Sequence, residues 1–165
     1  MEGITVINTM RMLRVNSPLN LEDLQKTHGG KLYPGRPEML LLRLSNGRNV
    51  QLFRRGTIQI LGSINEQDAE RMRLEILHRL CLSTKTPLVT KNMVVTAQLA
   101  NLNLHNIASS GSDIFYETEL FPAALIRKWE PAHVAAFHNG KIVITGVKSL
   151  PHCQSILTSI REYFV

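Results

Sequence analysis

The strongest constraint on this chain is that it repeats itself. Shifted by 84 positions, Asn8 falls on Asn92, Arg43 on Arg127, Val50 on Val134, Phe53 on Phe137, Gly56 on Gly140, Ile58 on Ile142, Ile60 on Ile144 and Gly62 on Gly146. The offset slips by one residue only where Leu21 and Leu24 match Leu104 and Ile107, between a helix and a strand, where a loop absorbs the difference. Two copies of one supersecondary unit therefore divide the 165 residues into 1–82 and 83–165, packed together as a single domain.

Both copies carry the same pattern. A strand with period two (Thr5 to Val15, Val89 to Leu99) leads into a short helix for which Asn20 or Asn103 is the expected N-cap. An apolar strand (Met39 to Leu44, Ala123 to Lys128) precedes a third strand ending in Phe53 or Phe137. A tight turn with Gly56 or Gly140 in the left-handed position then returns the chain as TIQILG or KIVITG. An amphipathic helix closes each copy, with Ala69, Met72, Ile76 and Leu80 on one stripe, and Cys153, Ile156, Ile160 and Phe164 on the other. Antiparallel strands with helices on one face make an α+β fold. In KIVITG, however, Ile142 and Ile144 point one way and Val143 and Thr145 the other, so the face away from the helices is apolar too. Such a face exceeds the few hundred Å² that a monomer ordinarily exposes, and it implies a partner.

Charge indicates the kind of partner. Nineteen Lys and Arg against thirteen Asp and Glu leave a net +6, which favours a polyanion and nucleic acid first. With 44% hydrophobic residues the chain has enough apolar surface to fold alone. The opening MEGITVINTM has no basic, apolar leader, and no run of about 18 apolar residues occurs, so neither secretion nor membrane spanning is expected. Cys81 and Cys153 lack zinc-pair spacing and are expected to be small buried hydrophobes in a reducing compartment. His28, His78, His105, His133, His138 and His152 are scattered, and no nucleophile elbow, phosphate-cradling loop or spaced carboxylate pair appears. No enzyme, metal site or cofactor is expected.

The second copy, with QLANLNLHNI, YETELFPAALIR and FHNGKIVITGVKS, resembles the C-terminal repeat of the TATA-box-binding protein family, whose pattern is close to Y-E-P-E-L-F-P followed by F-x-S-G-K-h-V-h-T-G-A-K. INTM, RPEMLLLRL and LFRRGTIQILG in the first copy form a weaker version of the same block, and the likeness covers essentially the whole chain. It implies a pseudo-twofold saddle: a curved ten-stranded antiparallel sheet with four helices on its convex face. The family lays the concave face into a widened minor groove and kinks the duplex with apolar wedges. The implied function is a diverged transcription initiation factor, nuclear, that binds and bends A·T-rich promoter DNA and recruits a transcription-factor-IIB-like partner. Strong drift in one repeat would suit a viral or parasite lineage.

Residue by residue, the resemblance implies that Asn8 and Asn92 donate to adenine N3 or thymine O2 at the centre of the DNA site. Phe53, Phe121 and Phe137 match the intercalating phenylalanines, with Pro37 at the fourth position. Val94, Thr96, Val143 and Thr145 match groove-facing positions, which in the first copy read Met10, Met12, Gln59 and Leu61. Arg43, Arg127, Lys141 and Lys148 match phosphate contacts; Thr57 and Ile64 replace the two lysines in the first copy, where Arg48, Arg54 and Arg55 are alternative cations. Glu38 stands where the second copy has Pro122, a carboxylate that phosphate would repel. Glu117, Glu119 and Leu120, in the segment Tyr116 to Leu120, match the surface offered to transcription factor IIB. The matching segment Tyr33-Pro34-Gly35-Arg36 is altered, which leaves a factor-IIA contact open.

Other readings stand beside these. Phenylalanines before a hairpin are often core, Trp129 is a packing residue or a partner contact, and Arg71, Arg73 and Arg79 read as a solvated helix face. The whole fold could instead serve as a protein-interaction module within a transcription complex, touching other general factors or a polymerase. It could also bind distorted or single-stranded nucleic acid. Two copies could pair through the apolar face in the absence of DNA.

Overall fold

Alternating apolar residues and well-placed caps give ten strands and four helices along the chain. In order these are β1 (Thr5–Arg14), α1 (Leu21–His28), β2 (Lys31–Tyr33), β3 (Met39–Arg43), β4 (Asn49–Phe53), β5 (Thr57–Leu61), α2 (Glu66–Arg79), β6 (Val89–Gln98), α3 (Leu104–Ala108), β7 (Ile114–Phe115), β8 (Ala123–Ile126), β9 (His133–Phe137), β10 (Lys141–Val147) and α4 (Leu150–Phe164). The computed structural model describes residues 3–83 and 85–164, with side chains as far as Glu162. The expected contact of Phe164 lies outside that range.

Two compact units emerge, one of Asn8–Lys91 and the other of the residues up to Ile7 together with those from Asn92 onward. In the first unit the strands lie in the order β2-β3-β4-β5-β1, and in the second β6-β10-β9-β8-β7, antiparallel at every pairing. Each five-stranded order repeats the other at the 84-residue offset.

Period-two burial decides which face of each sheet is covered. Leu40, Leu42, Val50, Leu52, Ile58 and Ile60 point inward in the first unit and meet Met72, Ile76 and Leu77 of α2. In the second, Val95, Ala97, Ile126, Val134, Ala136, Ile142 and Ile144 meet Cys153, Ile156, Leu157 and Ile160 of α4. Ile4, Val6 and the half-buried Trp129 pack against this second cluster, which assigns the tryptophan a packing role.

The helix starts follow from capping. The side-chain oxygen of Asn20 accepts from the Asp23 N–H at 3.1 Å, and that of Asn103 accepts from His105 and Asn106 at 3.0 and 3.1 Å, as the sequence predicts. Asn65 does the same for α2, accepting from Asp68 at 2.8 Å. The hairpin glycines are equally constrained. Gly140 has φ +82°, and a Cβ there would stand 2.0 Å from the Leu99 carbonyl oxygen, so only glycine fits.

One reading needs correction. Cys81 is exposed just past the end of α2, while Cys153 alone is buried. The helical stripe that ends at Leu80 does not reach Cys81, because the chain turns there through a positive φ of 52°. The short edge strands β2 and β7 were implied only by the ten-strand count, since segments of three and two residues carry no periodic pattern.

Candidate nucleic-acid interface

The uncovered face of each unit is built by the alternate residues of the same strands. In the second unit, direct strand partners form one row: Thr96 opposite Val143, Val143 opposite Ala135, Ala135 opposite Leu125 and Leu125 opposite Phe115. All five are partly or fully exposed while their chain neighbours on the strands are mainly buried. Val94 and Thr145, also half-buried, share this face. A shallow hollow of about 250 Å³ lies on it between Leu125, His133, Ala135, Val143 and Thr145. Phe115, Ala135 and Leu125 were missed by the sequence reading. Strand parity could have found Ala135, which lies two residues before Phe137 on β9, but no periodic pattern marks Phe115.

Aromatic rings mark the outer end of this face. Phe137 stands opposite Ala123, and its ring lies 6.1 Å from that of Phe121, tilted by 60°. Phe121 follows the turn in which the N–H groups of Leu120 and Phe121 both donate to the Glu117 carbonyl, and it is 41% exposed. A ring so exposed contributes little to the core. Glu117 and Glu119 are exposed on the same loop, and Leu120 is 72% exposed.

Asn92 sits at the start of the β6 row. Its side-chain oxygen accepts from the Gly146 N–H at 2.9 Å, which turns its NH₂ into the part left to donate. Asn8 is exposed on the matching position of β1.

The corresponding row of the first unit reads differently: Met12, Gln59, Gln51, Leu41 and Lys31 in direct register. Met10 and Leu61 also pair on this face, and Phe53 stands opposite Met39, which stands opposite Tyr33. The Lys31 ammonium lies over the Tyr33 ring at 4.9 Å. Pro37 and Phe53, with Arg14, Glu38, Arg54, Arg55, Thr57 and Gln59, line an open hollow of about 680 Å³.

Arg43, Arg127, Lys141 and Lys148 are all exposed. Arg54, in contrast, is not a ready substitute for the missing first-copy lysines. Its Nε donates to Glu38 Oε2 at 2.7 Å and its Nη1 to Glu22 Oε2 at 2.9 Å, so two carboxylates already offset its charge. The hydrogen bond from Arg54, followed by one from its own backbone N–H, holds the Glu22 carboxyl down at about 2. The same partners, Glu22 before Glu38, push the Arg54 guanidinium up. A depressed carboxylate stabilises the fold above its ordinary value of 4.5, and that contribution is lost as pH falls through about 2. Urea midpoints should therefore fall between those two values, and Glu22→Gln should flatten that part of the curve. An unchanged pH profile in the variant would show that the pair contributes nothing.

Among the described residues, no group of three or more His, Cys, Asp or Glu is placed to hold a metal ion.

The family model described as "Transcription factor TFIID (or TATA-binding protein, TBP)" matches residues 88–164, which fall in the second repeat. A TBP-related factor of Drosophila melanogaster is 31% identical over 95% of this chain and 74% of its own length. The TATA-box-binding protein of Methanocaldococcus jannaschii is 29% identical, over 96% of this chain and 92% of its own. A solved Methanococcus jannaschii TBP superposes with a TM-score of 0.85 at 28% identity, covering 97% of both chains. Its fold class is the one described above, a ten-stranded antiparallel open sheet with four helices.

Proposed function

Because the chain belongs to the TATA-box-binding protein family, a non-enzymatic family of transcription factors, we propose that it binds A·T-rich promoter DNA in the minor groove and bends it. The uncovered sheet faces form the contact surface, and the loop Glu117 to Leu120 receives a partner resembling transcription factor IIB. A factor of this family works where the template is, in a nucleus or nucleoid.

One observation carries the reading: the second unit leaves a row of mainly small and apolar residues uncovered from Thr96 to Phe115, with the Phe121 and Phe137 rings paired at the outer end of the same face. Minor-groove edges of A·T pairs offer only acceptors, so an apolar surface loses little by lacking a dense set of donors. The few donors it needs come from the Asn92 and Asn8 amides. Phe121 and Phe137, with Phe53 in the first unit, are shaped to enter between base steps and kink the duplex. Arg43, Arg127, Lys141 and Lys148 would neutralise phosphates flanking the groove. On the loop, Glu117 and Glu119 offer negative charge beside the exposed Leu120, a surface that suits a basic partner with an apolar pocket.

A bending assay on an A·T-rich duplex and a G·C-rich control, at several salt concentrations, tests this directly. The expected result is a bend preferring A·T, with log affinity falling against log salt at a slope of about −3 to −4 for four phosphate contacts. Salt-dependent binding without a bend would reduce the contact to electrostatics. No binding to either duplex would transfer the faces to a protein partner.

A further inference from the structure

Resting on the minor-groove reading, we propose that the first repeat reads G·C pairs, so that the binding site of this protein is a hybrid of one A·T half and one half containing G·C. Gln51 and Gln59 stand directly opposite each other on β4 and β5, in the middle of the first unit's uncovered face. Met12 and Leu41 flank them in the same row. Both glutamines are half-buried, and neither carboxamide bonds to another described residue. At the same two places the second repeat carries Ala135 and Val143.

The groove's chemistry gives this difference a direction. A·T and T·A pairs present only acceptors to the minor groove, whereas a G·C pair adds the guanine N2 amino donor. An apolar surface such as Ala135 with Val143 strips water from that amino group and returns nothing, which is how it rejects G·C. A glutamine side-chain oxygen accepts from the same amino group, while its NH₂ donates to the neighbouring cytosine O2 or guanine N3. Over an A·T pair that oxygen would face only acceptors and stay unbonded. Met12 and Leu41 beside the pair exclude water, so an amide oxygen left without a donor is disfavoured there and one that accepts from guanine N2 is favoured. The hollow next to Gln59 also leaves room for the extra amino group on the groove floor.

The test uses the full chain and asymmetric duplexes with one half fixed as A·T. The other half is all A·T, contains G·C, contains inosine·C, which deletes the amino group, or contains 2,6-diaminopurine·T, which adds it. Wild type should bind the G·C-containing duplex about tenfold tighter than the all-A·T one. Inosine should erase that gain and diaminopurine should restore it. Gln51→Ala/Gln59→Val, which installs the second repeat's residues, should instead prefer all A·T with its salt slope unchanged. Its thermal midpoint reports whether it folds. If inosine has no effect, or if wild type and variant rank the duplexes alike, the proposal is wrong while minor-groove binding stands. Failure to bind any duplex overturns both.

Discussion

Replacing Phe121 and Phe137 together by alanine should lower affinity for an A·T-rich duplex by about a hundredfold or more and remove the bend. Stacking of a base on an aromatic ring contributes about 1–3 kcal/mol, and two rings at one step lose both contributions together. The two side chains differ in what else they do. Phe121 is 41% exposed at the tip of a loop, so its truncation should leave the unfolding midpoint nearly unchanged. Phe137 is half-buried on β9 and should contribute modestly to stability as well. The single Phe121→Ala variant therefore separates the DNA effect from the folding effect. Phe53→Ala should cost less, because its partner across the hollow is Pro37 and no ring pair exists there. A double variant that bends the duplex as well as wild type would remove the wedge mechanism, whatever its affinity.

Much of this is legible in the sequence, because a repeat supplies two readings of one fold. Strand parity on KIVITG placed Val143 and Thr145 away from Ile142 and Ile144, and the burial pattern of β10 agrees. Asn20 and Asn103 cap as expected because an N-cap needs only local geometry. Long-range pairing was less visible. Nothing local in Phe115 announces that a two-residue strand sets it on the uncovered face beside Leu125. Nor does the sequence say which carboxylates Arg54 will meet, since Glu22 and Glu38 lie 32 and 16 residues away. Glu38 illustrates the consequence. Read alone it repels phosphate, yet in the fold it stands paired with Arg54.

Nor does the strand pattern reveal Arg11, a charged residue that lies on the inward parity of β1, between Thr9 and Leu13. It is 3% exposed, with Thr9 and Ser63 buried beside it. One guanidinium nitrogen donates to Glu66 Oε1 at 2.7 Å; the other donates to the Ser63 hydroxyl and, at 3.4 Å, to Thr9 Oγ1. Among the described residues, the Arg11 Nε has no hydrogen-bond partner. At the 84-residue offset the second repeat has Met93, Val95 and Val147, all buried and apolar. The first repeat has thus exchanged three core side chains for a polar cluster closed by a carboxylate on the first turn of α2.

Opposite outcomes are expected from two ways of changing that cluster. Glu66→Ala leaves a buried guanidinium without its carboxylate, facing the positive end of a helix, and should destabilise the protein by about 1 kcal/mol. The cost stays well below that of a fully buried pair because the Glu66 side chain is itself 85% exposed and water screens it. Thr9→Met/Arg11→Val/Ser63→Val should leave stability unchanged or raise it by about 1–4 kcal/mol, since removing every member also removes the desolvation penalty. Urea unfolding of both variants beside wild type decides the matter. A triple variant as unstable as Glu66→Ala would mean that the cluster contributes net stability and that the second repeat's apolar packing does not transfer. Met10 and Met12 lie on the opposite face of β1 from Arg11, so DNA affinity should follow the triple variant's stability only if the cluster also fixes the position of that strand.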